Sequence, residues 1–217
     1  DHELPTAFVR ATPKTNELVS MEETILRIAK QVVPCTVGIQ VGGNIEGSGV
    51  VISESGYVLT AAHVIGRPGR DVVIRFPDGT KVAGRTLGIH TQADGGLIKI
   101  KKEGKWPFAP MVTHEDYPVP GDWCISTGHP GGFQSKRTPP VRIGRVIDVE
   151  KNTLRTDCTI TGGDSGGPLF DMQGRVIGIH SRISEESSVN LHGPVLAYVE
   201  VWEALKAGKI YPPPPPS

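Results

Sequence analysis

Apolar and polar residues alternate along most of the chain in short runs, and only two stretches keep a helical period. β-Branched and other apolar runs fall at residues 36–41, 49–52, 57–60, 72–76, 81–87 and 97–101. After a proline-rich stretch they return at 124–127, 141–149, 154–159, 169–170, 175–182 and 195–199. Short runs of this kind, bounded by glycine, proline, asparagine or aspartate, predict strands. Turn chemistry sits between them. Ser55-Gly56, Pro77-Asp78-Gly79 and Asp171-Met172-Gln173-Gly174 each separate two apolar runs. Two sets of six strands predict an all-β chain of two halves joined around residues 106–120.

Helix has two claims. Ser20 and Glu23 form a capping box, and Met21, Ile25, Ile28, Ala29 and Val32 recur on one face until Pro34 stops the run. The second claim is 201–209, after which Tyr211 leads into five prolines, 212–216, that must be extended polyproline II. The predicted organisation is an N-terminal extension (1–19), a first six-stranded antiparallel barrel with its leading helix (20–110), a second barrel with a closing helix (111–209) and a proline-rich tail (210–217). The tail reads as a stiff linker, with a proline-recognition ligand as the sharper alternative.

Composition narrows the classes. At 217 residues, 37% hydrophobic and 21% charged, the chain can bury a real core and is too weakly charged to be a disordered polyelectrolyte. Lys+Arg and Asp+Glu both number 23, so nucleic-acid binding loses its electrostatic support. No stretch approaches 18 consecutive apolar residues, so no membrane insertion is expected. The first 16 residues lack the basic start and apolar run of a signal peptide, so an exported protein would be read here in its mature form. Cys35, Cys124 and Cys158 allow one bridge at most, have no CxxC spacing and read as small buried hydrophobes. His2, His90, His114, His129 and His192 are scattered without metal-ligand spacing, so neither metal nor cofactor is expected.

Three segments could carry chemistry. The first is "TGGDSGGPL", starting at Thr161. A serine is a poor nucleophile unless a base takes its proton and donors hold the resulting oxyanion. Glycines ahead of Ser165 let the amides of Gly163 and Ser165 point into one pocket. The bland alternative is a glycine-rich hairpin with an incidental serine. The second is "VLTAAHV", which places His63 at the end of an apolar strand, where a ring with an ordinary pKa near 6.5 suits a base working at neutral pH. A lone histidine is more often a satisfied core residue. The third is Asp94 in "ADGGLIKI", a carboxylate at the mouth of a strand that could orient His63, or simply a turn-forming aspartate.

Their order, histidine then aspartate then serine, is the one found in chymotrypsin-like barrels. "LTAAHV", "DGGLIKI" and "GGDSGGPL" together resemble the trypsin/chymotrypsin-like serine protease clan. The α/β-hydrolase reading of Gly163-Asp164-Ser165-Gly166-Gly167 fails, because that fold needs a helix after the serine and Pro168 follows instead. Within the clan the chain is most similar to the HtrA/Deg branch. The helix-Pro-strand opening, "GSGVVIS", "GYVLTAAHV", "STGHPGG" and "GGDSGGPLF" carry that likeness over residues 21–205.

The resemblance implies a serine endopeptidase acting on polypeptides through His63, Asp94 and Ser165, with an oxyanion hole from the amides of Gly163 and Ser165. It implies an exported (periplasmic or secreted) location and allows a homo-oligomer. The substrate pocket it implies is lined by Thr159, Ile160, Thr161 and Gly162 and by His180, Ser181, Arg182 and Ile183, a strand that would also pair with an extended substrate. Thr159 stands where trypsin has its specificity aspartate, which argues against Lys or Arg at the cleaved position. Val195 would narrow the pocket towards small or medium apolar residues.

Two departures bear on mechanism. Asp164 replaces the asparagine usual in the branch, and in trypsin-like zymogens that carboxylate is neutralised by an amine freed on activation. No matching cleavage site or "IVGG" start is present, so a buried Asp164 must find donors or protonate. No PDZ domain is read within these 217 residues, which lowers the expectation of peptide-regulated activation and cage assembly. The rival from another class is a catalytically silent, peptide-binding or chaperone-like relative.

Overall fold

The computed structural model describes residues 15–43, 45–135, 137–183 and 189–213. The first fourteen residues of the expected extension and the last four of the tail lie outside them.

Helix α1 (Thr15–Val32) buries or half-buries the face formed by Met21, Ile25, Ile28, Ala29 and Val32, as their spacing predicts. It begins ahead of the capping box, so Ser20 lies inside the helix; Glu17 and Leu18 are good helix formers and extend it backwards. Pro34 ends it through a 3-10 turn, and the Thr36 hydroxyl donates to the freed Val32 carbonyl at 3.0 Å.

The first barrel comprises β1 (Thr36–Val41), β2 (Ile45–Val51), β3 (Tyr57–Ala61), β4 (Asp71–Arg75), β5 (Lys81–His90) and β6 (Gly95–Ile100), with the short helix α2 (Ala62–Ile65) following β3. Antiparallel pairing runs β5-β4-β1-β2-β3-β6, and β5 pairs with β6 to close it. The second comprises β7 (Trp123–Thr127), β8 (Val141–Val149), β9 (Leu154–Thr156), β10 (Pro168–Phe170), β11 (Val176–Ile183) and β12 (Asn190–Pro194). It closes in the order β10-β11-β12-β9-β8-β7. Alternation fills both interiors: Ile39, Leu59, Ile74 and Leu97 in the first barrel, Ile125, Leu154, Phe170 and Ile177 in the second, are all fully or almost fully buried. Cys35, Cys124 and Cys158 are buried free thiols, with the last two sulfurs 3.6 Å apart.

One predicted strand is a helix. Residues 195–199 form part of α3 (Val195–Glu200), which starts after Pro194 and is followed by α4 (Trp202–Lys206). The run Val-Leu-Ala-Tyr-Val has strand composition, but Val195 and Tyr198 share a buried face at i, i+3, and packing overrides propensity. The end of the chain then returns to the first barrel. Leu205 of α4 is buried against Gly88, where a Cβ would lie 2.5 Å from the Leu205 Cα. Strand β13 (Ile210–Tyr211) adds in parallel to β5, so the last two residues before the prolines are strand rather than tail.

Tyr198 ties the halves together. Its ring packs on Gly95 of β6 and its hydroxyl donates to the Thr60 carbonyl of β3 at 3.1 Å. Gly193 of β12 meets the Ala93 carbonyl with no room for a Cβ. Gly193→Ala is therefore expected to destabilise the chain by about 1–3 kcal/mol, the usual cost of overpacking. A thermal-unfolding midpoint equal to wild type would contradict that close inter-barrel contact.

Candidate active site

The site forms where the barrels meet, and each expected residue arrives on a different element. His63 is the second residue of α2, held at the end of β3 with its side chain 47% exposed. Asp94 occupies the tight turn between β5 and β6 with φ 50°, the single non-glycine at positive φ among the described residues. Aspartate tolerates that conformation better than most residues. The strained turn aims both carboxylate oxygens at α2. Oδ1 accepts from the His63 amide at 3.0 Å, and Oδ2 accepts from His63 Nδ1 at 2.7 Å. The Asp94 carbonyl accepts from the Ala62 amide at 2.8 Å, which fixes the start of α2.

A third donor comes from the other barrel. The Ser181 hydroxyl of β11 donates to Asp94 Oδ2 at 2.6 Å. With Nδ1 committed as a donor to a carboxylate, the proton-accepting nitrogen of neutral His63 is Nε2. The hydrogen bond to Asp94 raises the His63 pKa, against the lowering effect of partial burial. Burial acts to raise Asp94, but the bonds from His63 and Ser181 outweigh it and hold the carboxyl below its ordinary value.

Ser165 is carried in by a loop whose backbone lies on the first barrel. The Ser48 amide of β2 donates to the Ser165 carbonyl at 2.7 Å, and the Ser48 hydroxyl donates to the Gly163 carbonyl at 2.8 Å. Gly166, at φ +84°, sits against the Thr60 hydroxyl and the Ser48 carbonyl with no space for a side chain. Gly163, at φ +94°, faces the His129 carbonyl and the amides of Gly131 and Gly132. Both positions therefore demand glycine, for conformation and for space. Strand β10 begins three residues after Ser165 with no helix between, as the exclusion of an α/β-hydrolase elbow requires. The Ser165 hydroxyl makes no hydrogen bond among the described residues.

The amides divide into two groups. Those of Asp164, Gly166 and Gly167 donate to the carbonyls of Thr161, His180 and Asp164 at 3.0, 2.8 and 2.8 Å. Those of Gly163 and Ser165 donate to nothing among the described residues. Two unengaged donors thus flank Asp164, on the half-exposed side of the loop beside the nucleophile candidate. Asp164 itself is completely buried and pairs with Arg142.

The expected pocket residues separate. Thr159, Thr161 and Gly162 are exposed, Ile160 is buried, and Arg182 and Ile183 are exposed at the end of β11. His180 and Val195 have no exposed surface. Val195 starts α3 and packs in the core. His180 points into the second barrel, where Nε2 donates to the Thr127 carbonyl at 3.0 Å and Nδ1 accepts from His192 Nδ1 at 3.0 Å. Thr156 completes the chain by donating to His192 Nε2 at 2.8 Å. Burial pushes His180 down to about 4 and His192 well below its ordinary value, so both rings are neutral at neutral pH. Among the described residues no cluster of histidine, cysteine or carboxylate could hold a metal ion.

A trypsin-like peptidase domain matches residues 47–179, well over half of the sequence. The chain belongs to the trypsin-like peptidase family. Among curated relatives, a putative serine protease HhoA of Synechocystis is 32% identical over 179 residues, covering 78% of this chain and 45% of the relative. A probable periplasmic serine endoprotease DegP-like of Chlamydia trachomatis is 34% identical over 145 residues, covering 64% of this chain and 28% of the relative. The chain thus spans less than half the length of these relatives. Two solved structures share the fold: a serine endoprotease from Yersinia pestis (TM-score 0.72, 24% identity, 90% of this chain and 68% of that one) and Deg5 (TM-score 0.72, 23% identity, 87% and 97%).

The His63–Asp94 bond is directly measurable. By NMR, His63 is expected to titrate above the ordinary histidine value of about 6.5, and to fall below its wild-type midpoint in Asp94→Asn. An unchanged midpoint in the variant would show that Asp94 does not set the charge of the ring.

Proposed function

We propose that this trypsin-like peptidase chain is an active serine endopeptidase. Ser165 Oγ attacks the scissile carbonyl while His63 Nε2 takes its proton, and the carbonyl oxygen becomes a tetrahedral oxyanion. His63 then delivers that proton to the leaving amine, and water, deprotonated by the same nitrogen, releases the acyl group from Ser165. Asp94 holds the imidazole as the Nδ1–H tautomer and stabilises the imidazolium, and Ser181 holds Asp94. The Ser165–His63 hydrogen bond closes with substrate present, since such bonds are commonly long in ligand-free enzymes.

The observation that carries this reading is the pair of unengaged amides at Gly163 and Ser165 beside the bonded His63–Asp94 pair. A collapsed, silent relative would be expected to spend those donors on its own carbonyls. Here they stand ready for an oxyanion, a term worth about 10²–10³ in turnover for each donor.

Strand β11 supports an extended polypeptide as substrate. Arg182 and Ile183 pair with β12 on one side, with Ser181 at a bulge, whereas on the other β10 reaches only to Ile179. That edge can take an added antiparallel strand. The exposed residues Thr159, Thr161 and Gly162 carry no acid to attract a cationic side chain, so small or medium apolar residues are favoured over Lys or Arg at the cleaved position. The names of the periplasmic relatives support an exported location. No helix among the described residues is long and apolar enough to cross a membrane.

Hydrolysis of a peptide library tests the proposal. Ser165→Ala should abolish cleavage, and Asp94→Asn should lower kcat by roughly 10⁴. Because His63 must be neutral to act as base, kcat/KM should fall as pH drops through its raised pKa. Wild-type chain that cleaves nothing from pH 5 to 9, or retained cleavage in Ser165→Ala, would reject the assignment.

A further inference from the structure

Asp164 carries a full carboxylate with no exposed surface, one residue ahead of Ser165. Its Oδ2 accepts from the Thr161 amide at 2.9 Å and from the Thr161 hydroxyl at 3.3 Å, and Arg142 Nη2 lies 3.2 Å away. The absence of a Cβ at Gly128 is what gives Oδ1 its space, so the loop after β7 is shaped around this side chain. A buried carboxylate without a countercharge is strongly disfavoured.

Four groups on the packed elements could supply that charge. His180 of β11 and His129 of the loop after β7 both feel Asp164, but burial lowers each of them. Their hydrogen bonds, to the Thr127 and Thr36 carbonyls, need only neutral rings. Arg137 spends its guanidinium on the Pro130 and Gly132 carbonyls. Arg142 remains. It is rooted in β8 opposite Ser126 of β7, with its side chain only 20% exposed, and so belongs to the barrel wall rather than to a mobile segment.

We infer that Arg142 is a positioning residue for the reaction: its ion pair with Asp164 holds the nucleophile loop with the Gly163 and Ser165 amides facing the cleft. The countercharge is then built into the barrel, and the folded chain needs no cleavage elsewhere to form the site. The inference rests on the peptidase reading of Ser165. Without Arg142, hydration of Asp164 would require the loop to turn it outwards, and the amide between Gly162 and Gly163 would move with it. An asparagine at 164 has no such need, because its neutral amide can stay buried on the Thr161 donors.

The test uses the whole chain as wild type, Arg142→Met, Asp164→Asn and the double variant, with methionine keeping the apolar stem. Arg142→Met should lower kcat on a peptide substrate by about 10²–10³. Its KM should stay within about threefold, the split expected when a transition-state donor is lost. The double variant should regain kcat to within about tenfold of wild type, a non-additivity that lost packing would not produce. Hydrogen exchange over residues 161–167 gives a second readout that does not depend on turnover: exchange rises in Arg142→Met and returns in the double variant. Wild-type kcat in Arg142→Met, an equal loss in both Arg142 variants, or unchanged exchange would overturn the inference. A wild-type chain that cleaves nothing would instead remove the peptidase reading, and the exchange arm would still decide the role of Arg142.

Discussion

The backbone of the loop that carries Ser165 lies directly on β2 and β3 of the other barrel, and the rest of the site depends on that contact. Ser48 binds the loop twice, by its amide to Ser165 and by its hydroxyl to Gly163, while Gly166 has no side chain to hold the surfaces apart. His63 stands at the end of the same β3. Serine and histidine, 102 residues apart in sequence, therefore share one rigid support. Precision of this kind comes from strands rather than from free loops.

Behind that contact the protein keeps two kinds of buried polar group. The Thr156–His192–His180–Thr127 chain is neutral and each ring nitrogen has a partner, so it costs little and fixes β7, β9, β11 and β12 relative to one another. Asp164 and Arg142 are ionic and more demanding, because each is tolerated only while the other is present. The neutral chain also bears on the site: the His180 carbonyl receives the Gly166 amide and its own amide donates to the Gly167 carbonyl. The back of the loop is thus tied down just after Ser165, as the Asp164–Arg142 pair holds it just before. Its front, with the Gly163 and Ser165 amides, is left open.

Much of this was legible in the sequence because it follows local rules. Strand periodicity and turn residues mark every barrel strand but β12, Pro34 marks the entry to the first barrel, and the glycines around Ser165 announce a loop with no room for side chains. The order of His63, Asp94 and Ser165 discriminated between folds that share a GxSxG pattern. What escaped was set by distant neighbours. Residues 195–199 have strand composition, yet become helical because Val195 and Tyr198 find one buried face. Ser181 was legible as part of a strand edge, but its bond to Asp94 depends on how the barrels dock. Ser48 stood in view within "GSGVVIS" with nothing local to show that it would hold the Gly163 carbonyl. The countercharge for Asp164 lies 22 residues upstream on another strand, a separation at which no motif signals a pair. The return of α4 and β13 to the first barrel depends on Gly88, whose missing Cβ means nothing until Leu205 is placed against it.

The proposed reaction is covalent: an acyl group passes through Ser165. Intact-mass measurement of the chain mixed with an activated ester at mildly acidic pH, where deacylation is slow, tests it most directly. One acyl increment per chain, mapped by digestion to the peptide containing Ser165, is the predicted result. Product released with no increment at Ser165, or an increment at another residue, would contradict it.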